Sequence, residues 1–131
     1  MNGSATATGL HELTAQIGRL DAVVTARLKQ TAKASADRIA AHAAAILRST
    51  THGTGRTANS IRVLDESSDK QYLVQCPGDS EQPANLPMWL ERGTRYMSAR
   101  PFMRPAADAE EARYRREMIA AAEGAIVDVL S

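Results

Sequence analysis

Cysteine and histidine are scarce in this sequence: the 131 residues include one cysteine, Cys76, and three histidines. One cysteine can neither form a disulfide within the chain nor supply the thiolates of a structural zinc site. His11 and His42 lie on distant turns of one predicted helix, and no H-x-x-x-H or histidine–carboxylate cluster appears. We therefore expect no metal and no cofactor, and we interpret Cys76 as a small strand residue rather than a nucleophile.

Motifs of covalent catalysis and of phosphate binding are also missing. Ser60, Ser67 and Ser98 lack the G-x-S-x-G context of a hydrolase nucleophile. Residues 53–57 share glycines with a phosphate-binding loop, but they contain no lysine and follow a predicted helix rather than a strand. The sequence thus predicts a protein that is not an enzyme.

The net charge is small, and no apolar run is long. Sixteen basic and fifteen acidic residues leave a charge of +1, which argues against a dedicated nucleic-acid binder. No stretch approaches the roughly 20 apolar residues that span a bilayer. Residues 1–8 lack the basic start and apolar stretch of a secretory signal. We expect a soluble protein made in the cytoplasm, with no membrane partner, a flexible N terminus over residues 1–9 and a single domain over 10–131.

Aromatic residues are few, whereas alanine is abundant. The chain has five aromatic residues and 24 alanines. Alanine favours helices but buries little apolar area per residue. Such a chain can form long helices while gaining little from its own core, so burial of a helix face against copies of itself or a partner would add stability.

A long amphipathic helix is predicted from Leu10 to about Thr50. Apolar residues recur there in steps of three and four, without an intervening proline. They are Leu10, Leu13, Ile17, Leu20, Val24, Leu28, Ala32, Ala36, Ile39, Ala43, Ile46 and Leu47. Some 40 helical residues would extend about 60 Å, which exceeds the width of a small domain. The helix therefore either bends near Gly18 or Thr31, or projects beyond the core at one end.

The remainder predicts two strands, a loop, a short apolar segment and a second helix. Residues 61–64 and 71–76 alternate as strands around a polar hairpin loop, and residues 77–87 contain three prolines and predict an exposed loop. Residues 88–91 form a third strand or a single helical turn. The last helix begins between Pro101 and Pro105 and ends near Leu130. The predicted fold is α+β, with the two long helices packed on an antiparallel sheet of three to four strands.

Charged residues alternate in blocks along the chain. Residues 10–50 carry +3, 65–82 carry −4, 91–104 carry +3 and 105–131 carry −3. Opposite charges on different faces suit head-to-tail contact between copies, although neutralisation within one subunit is the alternative. The arginines of residues 91–104 could contact an anion or nucleic acid, but an ion pair with Glu91 that holds the turn is the preferred interpretation.

Two sequence motifs resemble those of the minor tail component family of long-tailed bacteriophages, also called tail-completion or head–tail joining proteins. The first is the E-x-G-T turn at residues 91–94, followed by A-R-P-F-[LM]-R-P-A at residues 99–106. The second, G-x-[LT]-x-x-S-I, matches residues 55–61. The residues that carry the resemblance are Gly55, Ser60, Ile61, Trp89, Glu91, Gly93, Thr94, Arg100, Pro101, Phe102, Arg104 and Pro105.

The resemblance implies a structural role in the virion of a phage or of a prophage-derived particle. Several copies, plausibly six, would form a ring at the neck or head-proximal end of the tail. The ring would surround DNA without sequence-specific binding, between the head–tail connector and the tail tube or terminator proteins. The motif residues would be scaffold: Gly93 at a positive φ, Glu91 paired with Arg100 or Arg104, and Phe102 in the core. The alternative from another class is a small nucleic-acid-binding regulator.

Overall fold

The computed structural model describes residues 3–50, 55–66, 71–80, 82, 83 and 85–131, with side chains from Gly9 onward. Four helices and two strands follow one another in these residues. They are α1 (Gly3–Thr50), α2 (Arg56–Asn59), β1 (Arg62–Glu66), β2 (Gln71–Gln75), α3 (Leu86–Arg92) and α4 (Met103–Leu130).

The two long helices pack against each other in antiparallel directions. Leu47 near the end of α1 lies in one cluster with Phe102 and Ala106 at the start of α4, whereas Arg27 pairs with Asp128 near the end of α4. Helix α1 has 48 residues and α4 has 28, so α4 cannot cover the whole of α1. The sequence left two alternatives for this helix, a bend or a projecting end. In the structure α1 is continuous, and its first part projects beyond the core.

The sheet consists of two antiparallel strands in the described residues, so the predicted three to four strands are wrong. Val63 lies opposite Val74, and Leu64 lies opposite Leu73. The third candidate strand, residues 88–91, belongs to α3 instead. Pro87 in the first turn of α3 favours this helix, because proline fixes a helical φ where its missing N–H costs nothing.

Several predicted boundaries differ from those of the structure. Strand β1 extends to Glu66, and β2 ends one residue before Cys76. Residues 51–54, which follow α1, and residues 67–70 of the predicted hairpin loop lie outside the described residues. The loop predicted at residues 77–87 is irregular where described up to Asn85, but Leu86 and Pro87 belong to α3. Gly78 and Asp79 are half-buried and Pro87 is buried, so the loop is less exposed than predicted. These residues lie close to the rest of the fold, as Gly78 shows by donating its N–H to Ser60.

The core is small and built largely from alanine. Its two largest fully buried side chains are Phe102 and Leu47. The rest of the main cluster is Leu90 and the alanines Ala43, Ala44, Ala58 and Ala106. Small side chains let α1 and α4 approach closely, but they remove little apolar area from water. The single large aromatic side chain therefore carries an unusual share of the burial.

Candidate functional site

The motif residues meet at a corner where α3 leads into α4; residues 89–105 are called the corner below. The carboxylate of Glu91, in the last turn of α3, reaches the first turn of α4. One oxygen accepts the backbone N–H of Phe102 at 2.8 Å and that of Met103 at 2.9 Å. The other oxygen accepts the N–H of Arg104 at 3.0 Å. Because the first N–H groups of a helix have no partner within it, Glu91 caps α4 from a different helix.

Gly93 makes the turn of the corner possible. Its φ is 78°, a backbone conformation that residues other than glycine rarely adopt. The sequence motif predicted this positive φ. A Cβ there would lie 2.8 Å from the backbone N of Ala99 and 2.9 Å from the carbonyl oxygen of Met97. The chain then returns to α3, where the N–H of Arg100 donates to the carbonyl of Leu90 at 2.6 Å. Glycine is required here by both conformation and space.

Phe102 fixes the corner to the core. Its side chain is 1% exposed and lies in the cluster with Leu47, Leu90 and Ala106. Trp89, another large aromatic side chain of the corner, is 37% exposed and lies outside that cluster. The buried phenylalanine is the anchor, as predicted.

The two prolines of the motif flank the start of α4. Pro101 precedes the helix, and Pro105 is its third residue, half-buried. The helix begins at Met103, within the predicted interval. Thr94 completes the turn after Gly93, since its hydroxyl oxygen accepts the N–H of Tyr96 at 3.2 Å.

The predicted ion pair between Glu91 and Arg100 or Arg104 is wrong. The carboxylate of Glu91 is occupied by the backbone N–H groups of residues 102–104, and Arg100 donates instead to the carbonyl of Thr50 at 3.3 Å. Burial raises the pKa of Glu91, but the three N–H donors and the nearby charge of Arg104 outweigh it, and the pKa is lowered overall. Arginine contributes here by its charge and not by a direct contact.

The arginines of the corner are exposed. Arg92 and Arg95 have no carboxylate within ion-pair distance among the described residues, and the Arg95 guanidinium lies 5.7 Å from the centre of the Tyr96 ring. Tyr96 itself is 89% exposed. Arg104 approaches Asp108 at 3.9 Å, a long and exposed contact. The corner therefore presents positive charge and one exposed aromatic ring.

The second motif forms a turn between α1 and β1. Gly55 has φ 79° and precedes α2. The Ser60 hydroxyl donates to the carbonyl of Thr57 at 2.6 Å and accepts the N–H of Gly78 at 3.0 Å. Ile61 is half-buried and packs on the core cluster. These residues tie the loop after β2 to α2.

Cys76 lies beside this turn, with its sulfur 3.6 Å from the Ser60 hydroxyl. Burial raises the pKa of the Cys76 thiol. A raised pKa keeps the thiol protonated at neutral pH, which is the opposite of what a nucleophile needs.

A buried polar network between α1 and α4 was not predicted. Ser35 donates to Glu110 at 3.1 Å, and the Arg38 Nε donates to the same oxygen at 2.8 Å. Arg38 also binds Glu117 at 2.7 Å. The hydrogen bond from Arg38 lowers the pKa of Glu110 despite the burial of this carboxylate. The only sequence signal was the presence of Ser35 and Arg38 between apolar positions of the α1 stripe.

A cavity of about 450 Å³ opens between α1, α4 and β2. Its walls include Ala36, Tyr72, Val74, Tyr114 and Glu110. Because Glu110 is already bound by Ser35 and Arg38, it is not a free acid or base. The lining is mostly apolar, but the acidic side chains Asp108 and Glu111 of α4 also belong to it.

Neither a metal cluster nor a membrane-spanning segment is found in the described residues. No group of three or more histidine, cysteine or acidic side chains there could hold a metal ion. None of the described helices has the combination of length and apolar content that a bilayer crossing requires.

Comparison of the chain with protein-family models, with curated proteins and with solved structures finds no match.

Proposed function

We propose that this chain is a structural protein of a tailed phage or a prophage-derived particle. Several copies, six in the expected assembly, form a ring at the neck or head-proximal end of the tail, around the DNA channel. The observation that carries the proposal is the Glu91 cap: the motif glutamate binds the first turn of the helix that the motif phenylalanine opens.

The corner supports this proposal because its motif residues stabilise the fold. Glu91 accepts hydrogen bonds from backbone N–H groups, Gly93 forms a turn, and Phe102 is buried in the core. A motif whose central residues are used in this way is suited to holding a shape against neighbouring copies. The alternating charges along the sequence add little to this argument, because many of them pair within the chain, as Arg27 does with Asp128, Lys29 with Asp65 and Arg38 with Glu110.

Deletion of the gene in a strain that produces particles is the decisive experiment. We expect the deletion to leave filled or emptied heads that do not join to tails, and re-expression of the chain to restore complete particles. Immunogold labelling of restored particles should place the chain at the neck or upper tail. Complete particles from the deletion strain, free of this chain by mass spectrometry, would contradict the proposal.

A small nucleic-acid-binding regulator is the second candidate, and the exposed arginines Arg92 and Arg95 with Tyr96 favour it. Such a protein should bind a short duplex with an affinity that falls steeply with salt, by a slope of several released ions. Fluorescence anisotropy against a salt series tests this. Replacement of Arg92 and Arg95 by glutamine should reduce that slope, whereas the same change at the exposed Arg115 should not.

A further inference from the structure

The cavity between α1, α4 and β2 has the size and the apolar surface of a small-ligand site. Its volume is about 450 Å³, and such sites commonly measure about 300–1,000 Å³. Small or branched apolar side chains supply its surface: Ala32, Ala36 and Ile39 of α1, Val74 of β2 and Ala107 of α4. A compact apolar body can therefore leave water by entering the cavity.

Two tyrosines give the lining an aromatic part. Tyr72 of β2 is half-buried, and Tyr114 of α4 is 37% exposed. Tyrosine rings attract cations to their faces, and the attraction grows when the cation is removed from water. The aromatic part of the lining thus favours positive charge in a ligand.

The charged residues of the lining are all acidic. They are Asp108, Glu110 and Glu111, and the described lining contains no lysine, arginine or histidine. Asp108 lies 3.9 Å from Arg104, and Glu111 pairs with Arg115 at 2.7 Å, but both pairs are exposed and such pairs are weak. Because these arginines stand outside the lining, a cation in the cavity lies closer to negative groups than to positive ones.

Glu110 is the best fixed of the three acidic residues. Its Oε1 accepts hydrogen bonds from the Ser35 hydroxyl at 3.1 Å and from the Arg38 Nε at 2.8 Å and Nη2 at 2.5 Å. Its Oε2 accepts none from the described residues. Every fully buried side-chain oxygen in the described chain has a partner, so solvent reaches Oε2 although Glu110 is only 9% exposed. The bonds to Oε1 hold the carboxylate in place and leave an accessible oxygen for another donor.

We propose that this cavity binds a small organic cation, an amine or guanidine with a compact apolar body. The body contacts the alanine and valine side chains, and the cation lies beside the tyrosines and donates an N–H to Oε2 of Glu110. The exposed carboxylates of Asp108 and Glu111 add negative potential. A free amine and a lysine or arginine side chain of a second copy share this chemistry, and the test separates the two sources.

The lining favours an organic cation over a metal ion. No group of three or more histidine, cysteine or acidic side chains in the described residues could hold a metal ion. A hard metal ion also prefers to be surrounded by oxygen ligands, which the apolar part of the lining does not supply. A ligand that uses both parts of the lining carries a charge and an apolar body together. The inference does not depend on the proposed ring.

A matched series of phenyl compounds tests the inference by NMR of the isotope-labelled full chain at neutral pH. We expect phenethylamine to shift the signals of Ala36, Val74 and Ala107 saturably, with a Kd in the millimolar range of so small a ligand. Phenethyl alcohol has the same body without the charge and should bind at least about tenfold more weakly. Phenylacetate carries the opposite charge and should not bind. Equal binding of all three compounds, or no saturable shift with the amine, would overturn the inference.

Substitutions on α4 locate the site. Ala107→Leu fills the cavity and should abolish the shifts, whereas Ala109→Leu, at an exposed position outside the lining, should leave the Kd unchanged. Tyr114→Leu keeps an apolar surface but removes the ring, and it should weaken amine binding about two- to fivefold. Circular dichroism checks that the three variants keep the fold. A Kd that Ala107→Leu does not change would place the amine elsewhere and contradict the assignment.

Glu110→Gln tests the carboxylate. It should reduce the preference for the amine over the alcohol by at least about tenfold, a ratio that a purely structural role of Glu110 would not change. If this variant does not fold, Asp108→Asn with Glu111→Gln should still reduce that ratio, and an unchanged ratio in the folded variant would refute the role of the acidic residues. Shifts of the same signals when the chain alone is concentrated would identify the cation as a basic side chain of a second copy. Shifts that require the added amine identify a free ligand.

Discussion

The carboxylate of Glu91 accepts the backbone N–H of Phe102 at 2.8 Å, so the end of one helix holds the residue that starts the next. Phe102 in turn is 1% exposed in the core. A polar cap and an apolar anchor thus act on the same residue, one on its backbone and the other on its ring. The direction of α4 relative to α3 follows from these two contacts.

Replacement of Glu91 by glutamine should destabilise the fold by about 1–2 kcal/mol at pH 7, because a neutral amide is a weaker acceptor for three N–H groups. The lowered pKa of Glu91 also gives the effect a pH dependence. Its contribution is present above the pKa of the unfolded state and is lost as the pH falls through the lower folded pKa. Urea unfolding of both proteins at neutral and acidic pH measures it. A difference in stability that stays constant down to the most acidic pH would contradict the assignment of the cap.

Gly93→Ala should cost more than 1 kcal/mol, because the new Cβ meets the backbone at 2.8 Å in a strained conformation. Gly18 provides the matched control, since it lies in α1 with no atom within 4 Å of its Cβ position. Gly18→Ala should stabilise the chain by about 0.5–1 kcal/mol through helix propensity. Thermal unfolding of both variants compares them. Equal effects at the two glycines would show that the turn is ordinary.

Phe102→Ala should cost roughly 3–5 kcal/mol, since it empties the largest buried position of a core made mostly of alanine. Tyr96→Ala removes a comparable ring that is 89% exposed and should change stability by less than about 0.5 kcal/mol. Chemical denaturation followed by circular dichroism measures both. An unchanged midpoint for Phe102→Ala would remove this ring from the core.

Arg38→Met should cost about 3–5 kcal/mol, because it leaves the carboxylate of Glu110, with 11% of its side chain exposed, without its cation. Adding Glu110→Leu should recover much of that loss by removing the buried charge. Arg115→Met breaks the exposed pair with Glu111 and should have an effect below about 1 kcal/mol. Urea unfolding of the single and double variants gives the coupling. Additive losses at Arg38 and Glu110 would argue against a shared network.

The elements that repeat a pattern over many residues could be predicted from the sequence. Apolar residues spaced three and four apart predicted the long helices α1 and α4. The alternation of apolar and polar residues around Val74 predicted β2. Short segments were ambiguous: the four residues from Met88 to Glu91 fit a strand or a turn of helix, and Pro87 decides for the helix. The predicted sheet was too large because that segment was counted in it.

The corner was predicted in part. Gly93 and Phe102 were placed correctly, because the resemblance of the motif implied a glycine at a positive φ and a phenylalanine in the core. The partner of Glu91 was predicted wrongly. Arginines of opposite charge lie nearby in the sequence and suggested an ion pair. The actual partners are the free N–H groups at the start of a helix, and these exist only once the helix has formed. The Ser35–Arg38–Glu110 network was missed for a similar reason: it joins residues far apart in sequence.

Because α1 has a covered part and a projecting part, amino-acid substitutions acquired during evolution should affect the two parts differently. Substitutions between Leu10 and Ile17 touch no core side chain, so they can change the exposed surface of this stretch while leaving the folding intact. Substitutions around Leu47 cannot leave the folding intact, because Leu47 at the other end of the same helix packs in the core cluster with Phe102. One continuous helix therefore contains a stretch that is free to diversify and a stretch that is held fixed.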